Sequence, residues 1–320
     1  MVEYFGDEAD LAKDKNVAMQ VDVIGFNRGA AQARDFANRL MVGVKQNRIT
    51  KDYWYGYKDK SQKDQCQKVN FRFMGLWDTV LSTNSSRGYA LAIPAQFAYV
   101  AQAVALNEYR SSNVLNFTER NPLFEKNHWG GFPLESITGS ANPNNNTRIE
   151  MGFIGAHSDI GGGYSTSDNQ LSLVALNWMV RQAQSAGVTM KALPDIAMSN
   201  PVLHDQSNTM LLGDPRKSGQ RNPVGATTLP IAEDRTVNGA CNPAAPGGPC
   251  RGGSTTQRQM QFNNGSLTNA DTHEKMINYT ARNPNDVTTV LPLAQTTGTV
   301  NMAEYIGWLR GHGYKFYGDK

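Results

Sequence analysis

No stretch of the chain approaches the roughly 18 apolar residues that a membrane-spanning helix needs, and no basic segment precedes an apolar one at the N-terminus. Neither a spanning segment nor a classical secretion signal is expected, so membrane contact would be peripheral rather than integral. An excess of one charge is also lacking. Over 320 residues, 31 basic side chains face 28 acidic ones, a net charge of +3 that gives no basis for expecting nucleic acid as a partner. Cysteine is scarce: Cys66, Cys241 and Cys250 are the three in the chain, and no C-x-x-C or clustered Cys/His spacing suggests a metal site. Cys241 and Cys250 bracket a Pro/Gly-rich run, which a disulfide would clip in an oxidising compartment and which otherwise carries two free thiols. His128, His273 and His312 each lack a second ligand at metal-binding spacing. Neither G-x-G-x-x-G nor a Walker lysine accompanies Gly161-Gly162-Gly163, and no cofactor is expected.

What is present is organised around residues 17–40. Val21, Val23 and Ile24 are β-branched and lead into Gly25, and from Ala30 small and apolar residues recur at helical spacing through Ala33, Ala37 and Leu40. The reading is strand, sharp turn, helix. The turn, Gly25-Phe26-Asn27-Arg28-Gly29, has the frame of a nucleophile elbow, G-x-S-x-G, in which two glycines allow close approach and the middle residue is held above the sheet. That middle residue is Asn27. An amide has neither the nucleophilic lone pair nor the transferable proton of a serine hydroxyl. A Gly-rich turn of this kind also serves close packing or seats an anion on a helix N-terminus, and five residues alone do not decide between these uses.

Two later stretches add to it. Residues 71–80 read as a strand ending in Asp78, and residues 149–164 as a strand ending in His157, so the chain order is elbow, acid, base, each after a strand. Gly25-Phe26-Asn27-Arg28-Gly29-Ala30 with Ala33-Arg34, then Gly75-Leu76-Trp77-Asp78-Thr79-Val80, then His157-Ser158-Asp159-Ile160-Gly161-Gly162-Gly163-Tyr164, together resemble the α/β-hydrolase family that includes the type VI secretion phospholipase effectors. The elbow of that family usually reads Gly-Phe-Ser-Arg-Gly-Ala. The resemblance implies an α/β-hydrolase-like fold, a mostly parallel sheet flanked by helices. It also implies a lipase or esterase acting on phospholipid or another acyl ester, with Asp78 as acid, His157 as base and the backbone N–H of Arg28 as an oxyanion donor. Relatives also tend to carry a His-Asp-Ser-like stretch where this chain has His204-Asp205-Gln206-Ser207, which makes His204 the alternative base. Partners implied are a secretion apparatus or an immunity protein. The implied route is synthesis in a bacterial cytoplasm and export without a signal peptide.

The expected layout is a core over 1–193 with an insertion around 81–148, then a loop-rich part over 194–320 packed on that core. Residues 213–256, dominated by Gly, Pro, Asn, Ser and Arg, are expected to be flexible. A short helix is expected around Glu8 to Ala12, helices over Tyr89 to Tyr109, Leu171 to Ala186 and Met302 to Arg310, and a strand over Val287 to Leu291. The aromatic residues Tyr53, Trp54, Tyr55 and Tyr57 are expected to pack on the body of the domain, with a lipid interface as the alternative. In an α/β-hydrolase the elbow strand lies inside the sheet, and a second oxyanion donor comes from the loop after an early strand. Only a short polar lead precedes the elbow here. The expectation is therefore a fragment, a shortened gene or a sheet completed by another chain. With Asn27 in place, turnover should be negligible. The chain reads as a silent lipase-type hydrolase, a lipid- or protein-binding homologue, or an assembly module of a secretion-linked protein.

Overall fold

The computed structural model describes residues 2–12, 14–81, 89–108, 132–137, 140, 142–166, 168–191, 193, 195–196, 309–311 and 313–316. It also describes His204 and the backbone of short strands beyond residue 200. Helix α1 (Val2–Leu11) leads into β1 (Met19–Phe26), and α2 (Arg28–Met41) follows after a single residue. Strands β2 (Val44–Gln46), β3 (Tyr53–Lys58) and β4 (Asp64–Trp77) come next, followed by β5 (Tyr99–Ala105), β6 (Leu134–Glu135) and β7 (Thr147–Phe153). Helices α3 (His157–Gly161) and α4 (Ser172–Ser185) complete the body.

Six of these strands form one mixed sheet in an α/β fold. β1, β4, β5 and β7 run parallel, while β2, β3 and the first half of β4 form an antiparallel meander. Val69 pairs with Met19 of β1 and with Tyr53 of β3, which puts those two strands on opposite sides of β4. β5 takes the β3 side further along, from Phe73. β1 therefore lies at an edge, with β4 as its ladder partner among the described residues. The elbow strand of the sequence reading is thus an edge strand here, and Ile24 on it is 52% exposed.

Alternation in β1 decides which face α2 covers. Val21 and Val23 point into a cluster with Ala30, Ala33, Ala37 and Leu40 of the helix and Phe71, Leu76 and Val100 of the sheet. The opposite face buries Phe73, Ala101, Ala103 and Phe153 against Ala175, Trp178 and Met179 of α4. Leu309, Tyr314 and Phe316, from near the C-terminus, join this second cluster, and Ile196 bridges to Phe316.

The helix expected over Tyr89 to Tyr109 is not there: residues 99–105 are β5. A strand flanked on both edges and covered on both faces reads as a continuous apolar run. The alanines at positions 98, 101 and 105 mimic helical spacing without specifying it. The aromatic run forms β3, where Tyr55 is buried and meets Phe5 of α1 edge to face at 5.0 Å. The helix expected near Glu8 to Ala12 begins earlier and ends at Leu11, and the one over Leu171 to Ala186 is α4.

Within the expected loop over 213–256, three short strands occur: β9 (Gln220–Pro223), β10 (Thr236–Gly239) and β11 (Gly252–Thr256). β10 pairs with β11 and with β6, and β9 pairs with β8 (Val202–Asp205). A further small pair joins β12 (Asn278–Tyr279) to β13 (Gly298–Thr299). The strand expected over Val287 to Leu291, the Cys241–Cys250 pairing and His128, His273 and His312 lie outside the described residues. Of the expected Met302 to Arg310 helix, only its last two residues are described, in a helical turn that runs to residue 311.

Candidate active site

β1 and α2 meet at Gly25, where a side chain could not be accommodated: a Cβ there would lie 2.5 Å from the Gly29 carbonyl oxygen and 2.6 Å from Ala30 Cα. Gly29, the second glycine of the frame, has open space where its Cβ would sit. One glycine therefore carries the close approach. Between them, Asn27 adopts φ 60° and ψ −132°. Asn tolerates the left-handed helical region, but this ψ lies far from it, and such backbone costs about 1–3 kcal/mol unless its surroundings enforce it. The surroundings do so. Asn27 N–H donates to the Trp77 carbonyl (3.1 Å), and the Asn27 carbonyl accepts from Ala30 N–H (3.1 Å) and Ala31 N–H (3.3 Å). The N–H groups of Arg28 and Gly29 lie ahead of these first intrahelical bonds, at the positive end of α2. Asn27 Oδ1 is buried without a hydrogen-bond partner among the described residues.

The bond to Trp77 sets the elbow beside the end of β4, where Asp78 follows. Asp78 also has positive φ, 41°, and its N–H donates to the Ala103 carbonyl at 2.7 Å. One carboxylate oxygen, Oδ1, accepts from Ala105 N–H (2.9 Å), and the other, Oδ2, faces His157 Nδ1 at 2.6 Å. Both side chains are buried, and so is the second ring nitrogen of His157, Nε2. His157 opens α3, and its N–H donates to the buried Glu108 Oε2 at 3.2 Å. Its ring stacks at a tilt on Phe26, 4.5 Å between centroids, and meets Phe132 edge to face at 4.8 Å. Phe26 is the residue before Asn27. The turn at Asn27, Asp78 and His157 are therefore brought together beyond the C-terminal ends of three strands of the sheet, β1, β4 and β7.

His204, the alternative base, sits elsewhere. Its Nδ1 lies 2.6 Å from Asp159 Oδ1, and its ring stacks on Tyr164 at 3.5 Å. Burial pushes the Asp159 carboxyl above the ordinary range, against the opposing pull of its hydrogen bond to His204.

The triple glycine has three separate reasons. A Cβ on Gly161 would lie 2.1 Å from the Phe26 ring, Gly162 takes φ 81° to end α3, and Gly163 packs on Ser158. The N–H groups of Gly162 and Gly163 both donate to the Ser158 carbonyl, so they close the helix instead of facing an anion. No group of three or more His, Cys, Asp or Glu side chains among the described residues could hold a metal.

Sequence reasoning missed the support behind these groups. Arg34, fully buried, donates from Nε to the Leu91 carbonyl (2.6 Å) and from Nη1 to the Glu135 carbonyl (2.8 Å). Burial lowers its pKa to about 10, which leaves the guanidinium charged at neutral pH. Gln102 links the same Glu135 carbonyl (3.0 Å) to the Glu150 carboxylate (2.5 Å), and Thr79, next to Asp78, bonds to Gln102. Arg34 falls on the apolar-spaced face of α2, and a charge there was the available signal.

No curated protein matches this chain. A solved structure, described as an uncharacterized protein from Pseudomonas aeruginosa, matches with 21% identity and a TM-score of 0.35 over 60% of this chain. This chain spans about a quarter of that protein's length (26%). Residues 44–182, which include Asp78 and His157, match the family model described as "T6SS, Phospholipase effector Tle1-like, catalytic domain", so this segment is similar to a lipase-type effector of the type VI secretion system.

Proposed function

We propose that this chain carries the acyl-ester hydrolase site of an α/β-hydrolase-like phospholipase effector, silenced by Asn27. The observation that carries the reading is the 2.6 Å contact between Asp78 Oδ2 and His157 Nδ1. It lies beside an elbow whose middle residue holds φ 60° and ψ −132°. With serine at position 27, His157 Nε2 would take the hydroxyl proton as Oγ attacks the ester carbonyl. Asp78 would hold the Nδ1–H tautomer and stabilise the imidazolium. The N–H of Arg28 would bind the developing oxyanion. Collapse would expel the alcohol, protonated by His157, and leave an acyl-serine. Water activated by the same histidine would then release the fatty acid and restore the serine. We take residues 1–193 as the core that bears this site and 194–320 as the part packed on it. Phospholipid is the substrate class, with peripheral contact at the membrane surface.

With asparagine, the first step has no nucleophile. The test is hydrolysis of short-chain nitrophenyl esters and of phospholipid vesicles by the parent, Asn27→Ser and Asn27→Ser/His157→Ala, each checked by circular dichroism. The expected result is a parent at background, a gain of at least about 100-fold in the serine variant, and its loss in the double variant. A folded serine variant at background on both substrates would overturn the reading.

Asn27 itself favours a second reading, a homologue that binds lipid or a protein partner without turnover. Saturable vesicle binding by the parent, with no activity in Asn27→Ser, would select it.

A further inference from the structure

Asp159 stands two residues after His157 in α3, and at about 100° per residue the two side chains leave the turn in nearly opposite directions. His157 reaches Asp78. Asp159 reaches back and away: its Oδ2 accepts from Ala156 N–H (3.0 Å) and from His204 N–H (3.1 Å), and its Oδ1 meets His204 Nδ1 (2.6 Å). Ala156 is the residue on which the turn bearing His157 begins. One buried carboxylate thus ties the start of that turn to β8, a strand 45 residues further along the chain. His204 is buried too, with the Tyr164 ring stacked on it at an interplanar angle of 14°.

The proposed reaction gives none of these three groups a task, yet burying a carboxylate and an imidazole together costs free energy that an apolar pair would not. From this arrangement we infer that Asp159 and His204, with Tyr164 behind them, form a positioning device. It sets the place of His157 relative to Asp78 through the Ala156 backbone and makes β8 part of the machinery of the site. Asp159 is the shared element. If the Nδ1 donor of His204 is lost, one carboxylate oxygen loses its partner. The carboxylate then turns toward its remaining donors and carries the Gly155–Ala156 peptide with it, and so the start of the turn that bears His157. Asp78 Oδ2 and His157 Nδ1 move out of line. His204 is therefore a positioning residue and not the base.

The inference rests on the proposed hydrolase reading for its catalytic consequence, but its first test needs no turnover. The imidazole resonances of His157 can be followed by 1H–15N NMR in the 320-residue parent chain and two variants. His204→Leu removes the donor, and His204→Asn keeps an amide N–H near the place of Nδ1. The Leu variant should shift the His157 Nδ1–H resonance and change its titration, while the Asn variant stays close to the parent. In the Asn27→Ser background the same Leu change should lower kcat about tenfold or more with little effect on KM, and Asn should restore most of it. If the Leu variant does not fold, Asp159→Asn takes its place, because an amide N–H cannot accept from both Ala156 and His204. Folded Leu and Asn variants that both leave the His157 resonance unmoved, or that shift it equally, would overturn the proposal. A shifted resonance in a chain that stays inactive with serine at position 27 would overturn the hydrolase reading and leave the coupling in place.

Discussion

Two buried histidine–aspartate pairs lie in one small region, with the same Nδ1 to carboxylate distance of 2.6 Å, and their surroundings differ completely. In His157–Asp78 the carboxylate is braced by the N–H of Ala105 at a strand end, and the ring rests on Phe26 next to the elbow. In His204–Asp159 the carboxylate is spent on the backbone N–H groups of Ala156 and His204, and the ring is capped by Tyr164. The distance alone does not assign a base. What separates the pairs is where the carboxylate's other oxygen goes and what the imidazole faces.

The sharpest way to break this comparison is to neutralise each carboxylate in turn in the Asn27→Ser background. Asp78→Asn should lower kcat about 10,000-fold, because the imidazole loses the partner that fixes its tautomer, whereas Asp159→Asn should cost only about tenfold. Equal losses in ester hydrolysis would mean that the two pairs act as one unit. Next in size is Gly161→Ala, whose Cβ would enter the space of the Phe26 ring beneath His157. Urea unfolding should show a loss of about 1–3 kcal/mol, and the His157 resonances should move more than those of His204. The reverse ordering would place the clash at the wrong pair.

A pH series sharpens the contrast further. The folded Asp159 carboxyl sits above its ordinary pKa because of burial, so the folded state holds its proton more tightly than the unfolded chain does. The resulting stability is full below about pH 4, the unfolded value, and is lost as pH rises through the raised folded value. Urea midpoints from pH 3.5 upward should therefore decline in the parent relative to Asp159→Asn, and parallel profiles would contradict the assignment. The smallest effect belongs to Tyr164→Leu, which removes the stacked ring. It should lower stability by about 0.5–1.5 kcal/mol in the same assay and leave the Asp78–His157 contact intact by NMR.

Much of the first pair was legible in the residues themselves. A β-branched run ending in Gly25, and strands ending near Asp78 and His157, carry local signals that the structure places at the same end of one sheet. The second pair was only half visible. Its two members are 45 residues apart, His204 falls in a stretch with no local signal of burial, and nothing local pairs Asp159 with it. β5 was misread for a related reason. Its alanines obey helical spacing, and only its neighbours β4 and β7, each contributed from a different part of the chain, make it a strand. The meander of β2 and β3 was hidden by exposed Lys45, Gln46 and Lys58, since an edge needs charge rather than alternation. Gly29 shows the opposite error, a glycine that fits a motif while its own surroundings would accept a side chain.

Arg34 carries a consequence for the order in which the molecule assembles. Its bonds to Leu91 and Glu135 join the elbow helix to segments 57 and 101 residues further along, so they close long loops of chain. The rate-limiting step of folding favours contacts that close short loops, and bonds of this span form after it. Shortening Arg34 should then hasten unfolding in stopped-flow denaturant jumps and leave refolding nearly unchanged. The guanidinium acts as a late latch: it lengthens the lifetime of the folded elbow without helping to build it.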